Sequence, residues 1–146
     1  MTQASDPAVE PAAQELPLPQ VTQDAVPYWE ALKQEKLIFQ RCTSCKSAIF
    51  PPRSDYCPYC NTYDQIEWEQ SAGRGKVYSF SVVERPPTKA WNDRAPYNLG
   101  FIWLDEDWVI FSEIRGASKD LAIDARVSVG YETRGDFVLP IFNLDR

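Results

Sequence analysis

Four cysteines constrain this chain more than any other feature. Cys42-Thr43-Ser44-Cys45 and Cys57-Pro58-Tyr59-Cys60 form two CxxC pairs separated by eleven residues. Two residues between thiols allow a tight knuckle turn that aims both sulfurs at one metal, and two knuckles complete a tetrahedron. Four thiolates leave no coordination position open for water, so the site is expected to be structural and not catalytic. Structural sites built from four cysteines take zinc, although the iron of a rubredoxin-like electron carrier shares the spacing. Cys42, Cys45, Cys57 and Cys60 are therefore the candidate ligands of one structural zinc. Two local disulfides are the competing use of the same residues, and those belong to oxidising compartments.

The rest of the composition narrows the chemistry further. The 146 residues include no histidine, which excludes a Ser-His-Asp triad, a Cys-His pair and any His-ligated metal. With 15 basic and 21 acidic residues the net charge is -6, so nucleic acid is not an expected partner. No apolar run approaches the ~18 residues of a membrane helix, and residues 1–20, with Pro7, Pro11, Pro17 and Pro19, carry no targeting pattern. A cytoplasmic protein without membrane contact is expected, and reducing conditions there favour metal ligation. A content of 44% hydrophobic and 13% aromatic residues is enough for a real core.

Along the chain, residues 1–21 read as a disordered Pro/Ala-rich tail. A short helix is expected from Thr22 or Asp24, either able to cap it with a side-chain oxygen. Val26, Trp29 and Leu32 make its apolar stripe, with Pro27 in the first turn. Strands over 37–41 and 66–70 flank the cysteines, giving a helix-and-ribbon unit over 22–72. Gly73-Arg74-Gly75 then opens a second unit, 73–146. There, strands are expected over 76–84, 98–104, 108–114, 126–133 and 137–142. Tyr78, Phe80 and Val82 should share one face of the first, and Leu121–Ala125 should make a single helical turn. The Asp105-Glu106-Asp107 turn reads as a solvated hairpin tip. Five short strands suit a closed OB barrel better than a sandwich, which wants about seven. The fold class is thus mainly β, an N-terminal helix and zinc ribbon followed by a five-stranded OB-fold barrel. Loss of one cysteine is expected to loosen the ribbon while 76–142 stays folded. The 85–96 loop combines Arg85, Lys89 and Arg94 with Trp91, a composition able to hold a phosphorylated adenine nucleotide moiety. An ordinary exposed loop is its plain alternative.

These features occur in a familiar order. A Tyr28-Trp29-Glu30-Ala31-Leu32 helix precedes Leu37-Ile38-Phe39-Gln40-Arg41 and the first knuckle. Phe50-Pro51-Pro52-Arg53, the second knuckle, Gly73-Arg74-Gly75-Lys76-Val77-Tyr78-Ser79, Pro96-Tyr97 and Phe101-Ile102-Trp103-Leu104-Asp105 follow. Over residues 24–142 the chain resembles the acyl-CoA-associated OB-fold family with an N-terminal rubredoxin-like zinc ribbon, once catalogued as domain of unknown function 35. Two departures are Asp124, where a glycine commonly precedes the penultimate strand, and Lys46, where the first knuckle often has glycine. The resemblance implies a non-catalytic accessory subunit of a hetero-oligomer, whose thiolase-like catalytic subunit cleaves a bulky or aromatic β-oxoacyl-CoA, for example of benzylsuccinyl-CoA thiolase type. It would help form or gate the CoA-ester site. Hydratase, aldolase and hydroxymethylglutaryl-CoA synthase complexes are the alternative settings, and a nucleic-acid-binding ribbon/OB module is the alternative outside acyl-CoA chemistry.

Overall fold

A computed structural model describes residues 15–146. Residues 1–14, most of the expected tail, lie outside the described residues. A 3-10 turn, Gln23–Ala25, leads into helix α1, Val26–Lys33. The expected side-chain cap is not formed at Thr22, and Ala25 takes the N-cap position of α1. The 3-10 turn supplies the entry instead, with Ala25 N–H donating to Thr22 O at 3.0 Å. The buried face of α1 is Tyr28 and Leu32, four residues apart, with Trp29 partly buried beside them. Val26, expected in the stripe, is exposed because it lies on the far side of the helix from Tyr28 and Leu32.

Strands β1 (Ile38–Cys42), β2 (Ala48–Ile49) and β3 (Ile66–Gln70) form an antiparallel sheet in the order β2-β1-β3. The chain then crosses to the second unit at Gly73, whose φ of 69° suits a residue without a Cβ. Strands β4 (Arg74–Val83), β5 (Tyr97–Leu104), β6 (Trp108–Arg115), β7 (Arg126–Arg134) and β8 (Phe137–Leu144) close a barrel in the order β4-β5-β6-β8-β7. The β6–β8 contact is parallel and closes the barrel, while the other pairs are antiparallel. This is the five-stranded OB barrel expected from the strand count. The helical turn before β7 falls at Ser118–Asp120, earlier than the expected 121–125. Asp124 has a φ of 65°, so the aspartate at the glycine-favoured position keeps the left-handed backbone.

Alternation decides which residues enter the barrel. Ile102 and Leu104 of β5, and Trp108, Ile110 and Ile114 of β6, point inward, and their neighbours point out. β4 breaks the pattern. A bulge between Val77 and Ser79 puts Tyr78 outside against Trp103, with ring centroids 5.5 Å apart. Phe80 and Val82, opposite Gly100 and Asn98, belong to the other face. The expected common face of Tyr78, Phe80 and Val82 is therefore split, because one inserted residue reverses the side-chain sense beyond it. The acidic turn is not merely solvated either: Asp105 accepts two hydrogen bonds from Arg126 at 2.8 and 2.7 Å.

The two sheets share one core. Phe39 of β1 stacks on Trp108 of β6 at 5.3 Å and 21°, and Phe50 meets the same indole at 4.8 Å. Tyr28, Leu32, Leu37 and Phe39 are buried in one cluster with Val77, Ile102 and Phe142. Each such side chain contributes about 1.5–3 kcal/mol on burial. The ribbon side is thus packed against the barrel's core.

Candidate functional site

The two knuckles are built alike. Cys42 ends β1; Lys46 N–H donates to Cys42 O at 2.9 Å, and Cys42 N–H to Ser47 O at 3.0 Å. In the second knuckle Asn61 N–H donates to Cys57 O and Cys57 N–H to Thr62 O, both at 3.0 Å. Each turn reverses on a left-handed residue, Lys46 at φ 66° and Asn61 at φ 61°. Asparagine adopts this readily; lysine does so at a cost, accepted here because its hydrogen bond closes the knuckle.

The four Sγ atoms lie within 4.8 Å of one another, and the Cys42–Cys60 and Cys45–Cys57 pairs are 3.7 Å apart. Zn–S bonds of about 2.3 Å in a tetrahedron imply S···S separations of about 3.8 Å, so the cage fits zinc. None of the thiols is in a disulfide. The backbone N–H of Cys45 is the main influence holding the Cys42 thiol down to about 6, against burial and with help from the Thr62 hydroxyl. The Thr62 hydroxyl, 3.0 Å from Cys60 Sγ, lowers Cys60 as well. Burial pushes Cys57 up to about 11. A divalent cation bound among the four sulfurs would favour their thiolate forms together and offset part of the charge they carry. With every position filled by sulfur, the site orders the ribbon and has no place for a reacting water.

The second candidate region, the 85–96 loop, contains a 3-10 turn, Lys89–Arg94. Arg85 and Lys89 are exposed and have no ion pair among the described residues. Arg94 is engaged: its guanidinium bonds Glu132 closely and reaches Glu113 at 3.5 Å. Glu132 also accepts from Arg115 at 3.1 Å and Arg134 at 2.8 Å. Burial pushes the Glu132 carboxyl up, but Arg94 and then Arg134 outweigh it and hold the group below the usual carboxylate range. Trp91 packs on Tyr97 at 5.3 Å, with Arg94 and Arg134 over its ring at 5.7 and 5.2 Å. Of the four loop residues, Arg94 and Trp91 thus converge, while Arg85 and Lys89 stand apart in solvent.

This cluster forms one end of an apolar groove of about 970 Å³ between α1, the Phe50-Pro51-Pro52 turn and the outside of β5 and β6. Sequence reasoning did not single out Glu113, Arg115, Glu132 and Arg134. Their signal was available, since charges two residues apart on one strand face the same side.

Residues 29–62 match the family model of the ChsH2 rubredoxin-like zinc ribbon domain, and residues 68–132 match that of the ChsH2 C-terminal OB-fold domain. The chain is 30% identical over 98 residues to a DUF35 domain-containing scaffold protein of Methanothermobacter thermautotrophicus, covering 66% of this chain and 72% of that one. The chain belongs to the DUF35 family. A solved structure described as the Ltp2-ChsH2(DUF35) aldolase matches this DUF35 chain with a TM-score of 0.76 and 30% identity, over 87% of this chain and 98% of that one. A probable enoyl-CoA hydratase alpha subunit of Thermomonospora curvata is 32% identical over 130 residues, 86% of this chain and 39% of its own length. The benzoylsuccinyl-CoA thiolase subunit BbsA of Thauera aromatica is 33% identical over 98 residues, 66% of this chain and 63% of its own. The DUF35 chain thus spans well under half of the hydratase subunit and under two thirds of the thiolase subunit.

Proposed function

We propose that this chain is a non-catalytic accessory subunit of an acyl-CoA-processing complex, with a structural zinc in its ribbon and a thiolase as its catalytic partner. The observation that carries the reading is its 30% identity, over 98% of the matched chain, to the structure described as the Ltp2-ChsH2(DUF35) aldolase. Relatives named for hydratase, thiolase and aldolase systems support the acyl-CoA setting. The thiolase partner rests on the likeness to BbsA, which points to a bulky or aromatic β-oxoacyl-CoA.

The chemistry of the residues agrees. Carbon–carbon cleavage of a β-oxoacyl-CoA wants a cysteine nucleophile and a base, commonly histidine. This chain has no histidine, and its four cysteines face one another in the cage. Zinc held there by Cys42, Cys45, Cys57 and Cys60 supplies order to the ribbon and no Lewis acid to a substrate. In this reading Arg85 and Lys89 are the cations free to meet CoA phosphates. Arg94, held by Glu132 and Glu113, positions the loop, and Trp91 flanks the ester.

Purification of the tagged full-length chain from the cells that make it, with mass spectrometry of what accompanies it, tests this directly. A thiolase in stoichiometric amount is the expected result. An aldolase or hydratase in its place would replace the thiolase assignment and keep the accessory role. Recovery of the chain without any acyl-CoA enzyme overturns both.

A further inference from the structure

The outside of β4, β5 and β6 is unusually apolar. Tyr78, Phe101, Trp103 and Phe111 are 54%, 44%, 38% and 57% exposed, and Val109 is 37% exposed between them. Phe101 and Phe111 are paired directly across β5 and β6, with centroids 5.1 Å apart, and Tyr78 packs on the Trp103 ring. The Trp103 indole N–H already donates to Asp107 at 2.9 Å, so that residue offers mainly its apolar ring. Aromatic side chains bury about 150–250 Å² each, so these exposed fractions amount to roughly 500 Å². That is near the upper end of the largest patch on a monomer, about 300–600 Å², and such patches are often functional.

The patch does not end there. Leu99, Phe101, Val109 and Phe111 also line the 970 Å³ groove, whose opposite wall is Tyr28, Trp29 and the Phe50-Pro51-Pro52 turn. Patch and groove thus form one continuous apolar face larger than either alone. At the polar end of the groove, among the described residues, Arg94, Arg115 and Arg134 surround two carboxylates, Glu113 and Glu132, and Arg134 also donates to Pro17 O at 3.4 Å. Arg134 Nε is buried there without a hydrogen-bond partner among the described residues.

We infer that this continuous face, outer β4–β5–β6 with the adjoining groove, is where the catalytic subunit docks, seating apolar side chains on the aromatic strip and a carboxylate toward the arginine-rich end. The inference rests on the accessory-subunit reading and adds to it a location and a chemistry. A second copy of this chain is a poorer occupant, since two chains of net charge -6 repel each other. Paired, close-packed rings are already ordered before binding, so little side-chain entropy is lost on docking.

The test uses the full chain and the acyl-CoA enzyme recovered with it. Phe111→Glu and Tyr78→Glu place a charge on the strip, with Lys119→Glu on the Ser118–Asp120 turn as control; zinc content and circular dichroism verify folding. Each strip variant is expected to lower recovery of the enzyme at least tenfold, with the control unaffected. A photo-crosslinking benzoylphenylalanine in place of Phe111, which keeps an aromatic there, should link to that enzyme. Undiminished recovery by both strip variants, or crosslinks only to another copy of this chain, overturns the docking face while leaving the accessory role intact. If the unmodified chain recovers no acyl-CoA enzyme, the accessory reading falls, and the proposed occupant with it.

Discussion

The Ser71 hydroxyl donates to both carboxylate oxygens of Glu106, at 2.8 and 3.0 Å, and so ties the exit of the ribbon to the β5–β6 turn. Ala72 N–H donates to the same carboxylate at 2.6 Å, and Gly73 N–H to Ser71 Oγ at 2.9 Å. One acidic side chain thus receives a hydroxyl and a backbone N–H where the chain crosses from one sheet to the other. Hydrogen bonds to a charged group are worth about 1.5–3 kcal/mol. Glu106→Ala is expected to lower stability by about that much in denaturant unfolding, and Glu106→Gln by less because an acceptor remains. An unchanged midpoint in Glu106→Ala would mean that the latch contributes nothing.

The shared core makes a second expectation. Phe39→Ala removes the ring stacked on Trp108 and should cost about 3–5 kcal/mol. Tryptophan fluorescence and far-UV circular dichroism should report a single coincident transition. Two separated transitions, with the barrel unaffected, would show that the units are energetically independent.

Zinc and barrel should be coupled for the same reason. The purified chain is expected to hold about one zinc. Cys57→Ser, or chelation, should lower the unfolding midpoint of the whole chain, because Phe39 and Phe50 flank the first knuckle and reach Trp108. Elemental analysis and thermal unfolding with and without metal check this; a barrel melting at the same temperature after metal loss contradicts it.

Much of this was legible in the sequence, and the misses have particular causes. The CxxC spacing located the cage, and alternation in 98–104 and 108–114 placed two barrel strands almost to the residue. Tyr78 went astray because a bulge leaves no mark in a run of alternating residues. The tie of Glu106 to Ser71 spans 35 positions, and no local pattern relates them. Phe39 and Trp108 each fall in an expected strand, but nothing in either neighbourhood says that they share one core. Arg94 looked like a free cation because its partners, Glu113 and Glu132, lie on two distant strands.

The Glu132 cluster gives a pH dependence with a definite sign. Its carboxyl is held below the usual range in the folded chain, so it binds protons less readily there than in the unfolded chain. Its stabilisation is fully present above the ordinary glutamate value of about 4.3 and is lost as pH falls through the folded value. Glu132→Gln should therefore be less stable than the parent at pH 7, with the difference shrinking toward pH 3. Denaturant midpoints at pH 7, 5, 4 and 3 measure it; a difference that grows with acid has the wrong sign for this account.

Within the assembled complex, Arg85→Ala and Lys89→Ala are expected to raise the KM for the CoA ester roughly two- to tenfold at unaltered kcat, the range between an exposed ion pair and a charge-assisted phosphate contact. Arg94→Ala should also lower stability, because Glu132 loses a partner. Steady-state titration of the ester separates the two effects. Unaltered KM in both Arg85→Ala and Lys89→Ala would remove CoA from the loop's role.

In the proposed role this chain completes an acyl-CoA enzyme without performing the chemistry. The most direct test is acyl-CoA turnover by three samples: the zinc-loaded chain alone, its co-purified enzyme stripped of the chain, and the two recombined. The expected results are no turnover by the chain, impaired turnover by the stripped enzyme, and recovery on recombination that saturates at a fixed stoichiometry. Turnover by the isolated chain that a point substitution in it abolishes, or a stripped enzyme as active as the recombined complex, would contradict it.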